Sequence, residues 1–243
     1  MKLVNPIATE EQHAFERRAL ELMNHPTLVA TVAELRQYWL DAVNPSGGMR
    51  ERFDAAFEEV MFGATIWSLN QDPLYPGVVT ITRLAHKLGN LDVPGSRWGV
   101  DNPDSIYRVI PISGDEKYLL HGRVGAKRLS ENYFTLWDDH MGTVDVFDGK
   151  DLVLESDGSF TITVDSEPAD GRQNHIRSSP AAQEFFIRDV ILDWANDCPN
   201  ELSVERLGPA PSRPPLTESE QIERTSQYMW DWVQHNIRWN NQA

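Results

Sequence analysis

The stretch SIYRVIPISGDEKYLLHGRVG, Ser105 to Gly125, decides the fold class of this chain. Apolar and polar residues alternate in both of its halves, and an alternation with period two is typical of β-strands. Between the halves lies SGDE, a sequence of the small and polar residues that turns require. The stretch therefore predicts two successive short strands separated by a turn.

The same pattern continues to about residue 208. Further strands are indicated by the runs ENYFTLWD, TVDVF, DLVLE, SFTITVD and ELSVERL, with turns at FDGK and SDGS. The run from Glu184 to Trp194, EFFIRDVILDW, fits a buried strand or a short helix, because periodicity alone does not separate the two. Short strands spaced by about 8–12 residues predict an antiparallel β-sandwich or an open barrel.

Helical patterns flank this β region. Thr9 and Gln12 can form a capping box, and apolar residues recur at spacings of three and four up to about residue 70, which predicts three helices. A second capping box, Thr217 with Glu220, precedes a C-terminal helix that extends to about Asn240. Its apolar residues cover more than half of its circumference, so we expect it to pack either within the chain or in a homodimer. Its apolar arc comprises Ile222, Tyr228, Met229, Trp230, Trp232, Val233, Ile237 and Trp239.

These patterns predict an α+β fold in three segments. We expect an N-terminal helical segment at 1–72 and an antiparallel β domain at 73–208. A Pro-rich connector and the C-terminal amphipathic helix, 209–243, are expected to pack on the same core.

Composition excludes several classes of partner. The net charge of −15 argues against nucleic acid and against anionic membranes, because both require a basic face. Cys198 is the only cysteine, so no intrachain disulfide can form, and neither a secretory signal nor an apolar span is visible. We therefore expect a cytoplasmic protein.

Standard catalytic motifs are missing from the sequence. It contains no phosphate-binding P-loop, no dinucleotide fingerprint, no H-E-x-x-H and no G-x-S-x-G. Nucleotide binding, zincin chemistry and a hydrolase serine are therefore not predicted, and we expect no cofactor.

The polar sequence WDDHMG, Trp137 to Gly142, holds the first catalytic candidates. If the strand continues through it, Asp138 and His140 share one face. A carboxylate beside an imidazole suits general acid–base catalysis, and the same pair can supply two metal ligands. The alternative is a solvated hairpin end with ordinary polar residues.

Other candidates lie within the strands. His121 and Arg123 share a strand face, as ligand contacts or as exposed polar residues, and Gly122 between them allows a close approach of backbone. Arg108 has apolar neighbours, so it needs a carboxylate such as Asp101 or Asp104, or an anionic ligand. Arg188 has the same requirement, with Glu184, Asp189 and Asp193 nearby.

Four segments resemble, in order, a bacterial domain-of-unknown-function family, number 1214. They are NPDSIYR (102–108), YLLHGRVG (118–125), DGSFTITVDSEP (157–168) and FFIRDVILDW (185–194). The resemblance covers residues 98–208 and implies an antiparallel β domain with a helical addition. It also implies that some family members occur alongside enzymes that degrade hydrophobic or aromatic compounds. The chain departs from the family pattern at QNHIR (173–177), where the family tends to have Asn-Trp.

Two functions follow as hypotheses. The first is a lyase or hydrolase that acts on a hydrophobic, aromatic or polycyclic small molecule in a closed apolar pocket. His140 and Asp138 would move protons, and Tyr107 would polarise a substrate oxygen. The substrate would be held by Arg188, Arg108, His121, Arg123 and Trp137.

The alternative is a non-catalytic module that binds a hydrophobic ligand or a protein. It predicts an exposed aromatic patch of several hundred Å² on the C-terminal helix, and no buried pair of histidine and carboxylate.

Overall fold

The predicted helices and most of the predicted strands form in the computed structural model, which describes residues 5–99 and 101–240 without the side chains of Trp239 and Asn240. The chain divides into two units. The β unit comprises residues up to 12, 70–80 and 102–215, and the helical unit comprises 13–69, 81–101 and 216 onward. These units differ from the three consecutive segments predicted at 1–72, 73–208 and 209–243, because the chain passes between the units several times.

Two sheets form the β unit. The five-stranded sheet has the order β1 (Val79–Thr80), β4 (Ser105–Pro111), β10 (Glu184–Val190), β6 (Glu131–Trp137) and β7 (Thr143–Asp148). The four-stranded sheet has the order β11 (Glu201–Leu207), β5 (Lys117–Arg123), β8 (Ser159–Asp165) and β9 (His175–Arg177). Described neighbours pair antiparallel, except that β8 and β9 are parallel. The predicted α+β class is confirmed.

The core of the β unit lies between these sheets. Phe134 of β6 meets Phe160 of β8 edge to face, with ring centroids 6.1 Å apart. Alternate residues of both sheets bury their side chains in one cluster, which is the sandwich alternative predicted from the alternating pattern. This cluster includes Ile110, Leu120, Phe134, Leu136, Phe160, Ile162, Phe185 and Ile187.

The helical unit contains α2 (Pro26–Val43), α3 (Gly47–Leu69), α4 (Glu218–Asn240), most of α1 (Glu10–Met23) and the hairpin of β2 (His86–Leu88) and β3 (Leu91–Val93). The C-terminal helix α4 packs on α2 and α3, which is the predicted packing within the chain. Trp232 of α4 lies 4.9 Å from the Trp67 ring and donates a hydrogen bond to the Trp98 carbonyl at 3.2 Å. The predicted apolar residue Trp239 has a side chain outside the described part. No helix in that part is long and apolar enough to cross a membrane.

The two predicted capping boxes differ in outcome. Thr217 and Glu220 form a full box, with the Glu220 carboxylate accepting from the Thr217 amide at 2.8 Å. Thr9 accepts from the Gln12 amide, but the Gln12 side chain bonds both backbone groups of Thr80 instead of reaching back. A long-range partner therefore replaces the local one.

One strand prediction was wrong, one open alternative is resolved, and one connection joins the two sheets. DLVLE is not a strand, because Asp148 caps a short 3-10 helix at Gly149–Asp151 by accepting from the Lys150 amide. The ambiguous run at Glu184 is a strand as far as Val190. The strands β4 and β5 follow each other in sequence but belong to different sheets.

Candidate functional site

Arg108 is a buried structural residue. Its side chain is 1% exposed, and its guanidinium bonds the Asp189 carboxylate at 2.5 Å and the Asn200 carbonyl at 2.6 Å. Burial raises the pKa of the Asp189 carboxyl, and the positive charge of Arg108 opposes that rise. Asp101 and Asp104, expected from sequence proximity, are not the partners, because a carboxylate on the neighbouring strand β10 lies closer.

Three predicted residues share the face of the five-stranded sheet that lies opposite to the Arg108 side chain. Tyr107 and Trp137 flank Phe186, with ring centroids 5.4 and 3.9 Å from it. Arg188 is exposed and lies over the Tyr133 ring at 5.3 Å. The carboxylate partner expected for Arg188 is not found among the described residues, and the other expected partner, an anionic ligand, stays a prediction. The Tyr107 hydroxyl accepts from the Asn102 amide at 3.0 Å, so it also fixes the corner before β4.

Asp138 and His140 form a turn and not a continued strand. Strand β6 ends at Trp137, and the Asp138 carboxylate accepts from the amides of His140 and Gly142 at 2.9 and 2.7 Å. These two bonds lower the pKa of Asp138. The His140 side chain is 88% exposed and lies 3.8 Å from Asp139. The predicted shared face was therefore wrong, and the described geometry is that of a solvated hairpin end.

The outer face of the four-stranded sheet brings histidines and hydroxyl groups together. Strand β8 carries Ser159, Thr161 and Thr163 two residues apart, so all three side chains share one face. His121 of β5 lies on one side of this row and His175 of β9 on the other. We call these five residues the imidazole face.

His121 stands between a hydroxyl and a carboxylate. Its Nδ1 is 3.1 Å from the Thr161 hydroxyl, and its Nε2 is 3.6 Å from the Glu205 carboxylate of β11. A base flanked by a hydroxyl and an orienting acceptor is the arrangement from which acid–base sites are built. The sequence indicated His121, but Glu205 and Thr161 come from distant strands and were missed.

A groove of about 350 Å³ opens beside His121. Arg123, its other predicted residue, bonds the Asp157 carboxylate at 3.0 Å. The pKa of Asp157 is lowered, chiefly by hydrogen bonds from Ser159 and further by Arg123. The groove is open and mixed in polarity, unlike the closed apolar pocket expected from the sequence. Its lining residues are Pro6, Thr9, His121, Gly122, Arg123, Ser159, Glu201, Leu202 and Ser203.

Gly122 fixes the shape of the groove wall, because its missing side chain leaves room for a buried ring. A Cβ at this position would lie 2.2 Å from Phe160, which is 3% exposed and held in the core. We expect Gly122→Ala to lower the free energy of unfolding by about 1–3 kcal/mol through overpacking. Urea unfolding followed by circular dichroism tests this value. The matched change Gly48→Ala, where a Cβ meets open space and φ is not positive, should cause no such loss.

The described residues hold no metal-binding cluster. Within 5–99 and 101–240, no group of three or more His, Cys, Asp or Glu side chains is arranged to hold a metal ion.

No family model matches the chain, and no curated protein matches it. Among solved structures, an uncharacterised protein from Burkholderia cenocepacia is similar, with a TM-score of 0.65 and 21% identity. The similarity covers 89% of this chain and 60% of that protein, so this chain spans less than two thirds of its length. At this identity the comparison shows a shared fold.

Proposed function

We propose that the chain is a hydrolase or lyase that acts on a small molecule bound in the groove, with His121 as the general acid–base. The observation that carries the proposal is the position of the His121 imidazole, between the Thr161 hydroxyl and the Glu205 carboxylate at the groove wall. Groove volume supports it as well, because small-molecule sites are usually about 300–1,000 Å³.

The proton transfer follows from the two contacts of His121. The Glu205 carboxylate, 3.6 Å from Nε2, favours the tautomer with its proton on that nitrogen, which leaves the Nδ1 lone pair directed at Thr161. Nδ1 can then take a proton from Thr161 or from a groove-bound hydroxyl, and can return it to a leaving group. The separation of 3.6 Å from Glu205 is longer than a hydrogen bond, and we expect it to shorten when substrate binds. His140 and Asp138 have no part in this proposal, because their side chains are not paired.

The lining of the groove suggests the class of substrate. Pro6 and Leu202 offer apolar contact, while Arg123, Glu201 and Ser203 offer polar contact. We infer a hydrophobic molecule that carries a polar group. The aromatic or polycyclic compounds expected from the sequence fit this description. The resemblance to domain-of-unknown-function family 1214 remains part of the proposal, and its expected antiparallel β domain agrees with the fold.

A thermal stabilisation screen tests the groove. Aromatic, steroidal and terpenoid esters, acids and alcohols are added to the purified protein, and a compound at 100 times its Kd should add about 2.7 kcal/mol of stability. Ser203→Trp fills the groove from an exposed edge strand, so we expect it to abolish the stabilisation by that compound. Thr143→Trp, exposed on the other sheet, should leave it unchanged.

Two outcomes would contradict the proposal. The groove is not the site if the panel gives no shift or if Ser203→Trp keeps the full shift. Stabilisation without any product from the wild type would favour the alternative, a non-catalytic ligand-binding module.

A further inference from the structure

We propose that Thr163 is a nucleophilic hydroxyl, activated by His175, that accepts an acyl group from activated esters. Thr163 does not line the groove, so this site goes beyond the proposed function. Its hydroxyl lies 2.8 Å from His175 Nδ1, the shorter of the two hydroxyl–imidazole distances on the imidazole face. The His175 side chain is only 2% exposed, so packing fixes the orientation of the base.

The direction of the Thr163 hydrogen bond follows from the other ring nitrogen of His175. His175 Nε2 is 2.9 Å from the Glu167 carbonyl, which can only accept, so Nε2 carries the proton. The neighbouring Arg172 Nη2 is 3.3 Å from Nε2, but it has two hydrogens. Both hydrogens are donated in shorter bonds, one to the Pro168 carbonyl at 2.8 Å and one to the Asp165 carboxylate at 3.1 Å, which leaves none for His175 Nε2.

Because Nε2 carries the proton, Nδ1 of the neutral ring is an acceptor and the Thr163 O–H donates to it. The hydroxyl, the base and the orienting carbonyl thus stand in the order that activates a nucleophile. No strand was predicted at His175, because β9 has only three residues.

The charges around His175 balance locally. Arg172 holds Asp165 through two bonds, of 2.7 and 3.1 Å, and lowers the pKa of that carboxyl. Asp165 lies 3.9 Å from His175 Nε2, so its negative charge offsets the guanidinium beside the ring. The ion pair holds the β8–β9 connection in place and keeps the Glu167 carbonyl directed at the imidazole.

The expected reaction with 4-nitrophenyl acetate has two balanced steps. Thr163 Oγ1 attacks the carbonyl carbon and its proton passes to His175 Nδ1, while the ester bond breaks and 4-nitrophenolate leaves. The product is an acetyl ester on Thr163. The proton on His175 Nδ1 is then lost to solvent. Water attacks the acetyl ester while Nδ1 takes one of its protons, and Nδ1 returns this proton to Thr163 Oγ1 as the acyl bond breaks, which releases acetate and restores the hydroxyl.

Peptide mass mapping after brief exposure to 4-nitrophenyl acetate tests the proposal. We expect one acetyl group on Thr163 in the wild type and in the matched control Thr161→Val, and none at position 163 in Thr163→Val. His175→Gln should slow acetylation of Thr163 by about 10²–10⁴-fold, the contribution of a positioned base. Circular dichroism confirms that each variant is folded.

Specific results would overturn this assignment. They are an unmodified Thr163 in the folded wild type, an equal rate in His175→Gln, or equal labelling of Thr161. His121→Gln separates the two proposals, because it should leave acetylation of Thr163 unchanged whether or not the groove is catalytic. Loss of Thr163 labelling in that variant would contradict the independence of the two sites.

Discussion

Replacing Asp189 by alanine is expected to lower the free energy of unfolding by about 3–5 kcal/mol, because it leaves a buried charge without its partner. Arg108 is 1% exposed and Asp189 is fully buried, so water cannot take the place of the lost carboxylate. Asn132 also donates to Asp189 at 2.8 Å, and it accepts from Asn200 at 2.9 Å. The substitution therefore disrupts a network across three adjacent strands.

Urea unfolding of the wild type and Asp189→Ala measures this loss. Asp92→Ala is the matched control, since Asp92 forms an exposed pair with Lys87. Exposed pairs contribute little, so the control should unfold at the wild-type urea concentration. A midpoint for Asp189→Ala equal to that of the control would show that the buried pair does not hold the sandwich together.

Replacing His121 by glutamine is expected to reduce turnover of a groove-bound compound by about 10²–10⁴-fold, the usual contribution of a general acid–base. Glutamine keeps a polar side chain of similar length, so binding should change little. The loss is therefore expected in kcat and not in KM.

His140→Gln is the matched control for this experiment. His140 is exposed on the β6–β7 turn and does not line the groove, so turnover should equal that of the wild type. Equal turnover in His121→Gln and the wild type would contradict the assignment of the base. Loss of turnover only in His140→Gln would restore the assignment expected from the sequence.

Local sequence patterns predicted the elements of this fold well where they are long. The period-two alternation around Phe134 and Ile162 places both side chains in the core, as expected for half-buried strands. The three- and four-residue spacing of Phe57, Val60 and Trp67 predicted α3, which buries all three. Strands of two or three residues, such as β1 and β9, were missed because they contain less than two periods of the pattern.

The candidate site was harder to predict, because its members meet through sheet pairing. His121, Thr161 and Glu205 lie on three strands, and only their register brings them together. A histidine two residues from an aspartate drew attention to His140, yet Asp138 binds the turn's own amides. Sequence spacing does not show whether a carboxylate faces a neighbouring side chain or its own backbone.

The most direct test of the central claim records the ring nitrogens of all seven histidines by ¹H–¹⁵N NMR, with and without a saturating groove compound. We expect the His121 Nδ1 and Nε2 signals to shift on binding, while those of His140 stay in place. Unchanged His121 signals at saturation, with the compound bound, would contradict the claim that His121 reaches the substrate.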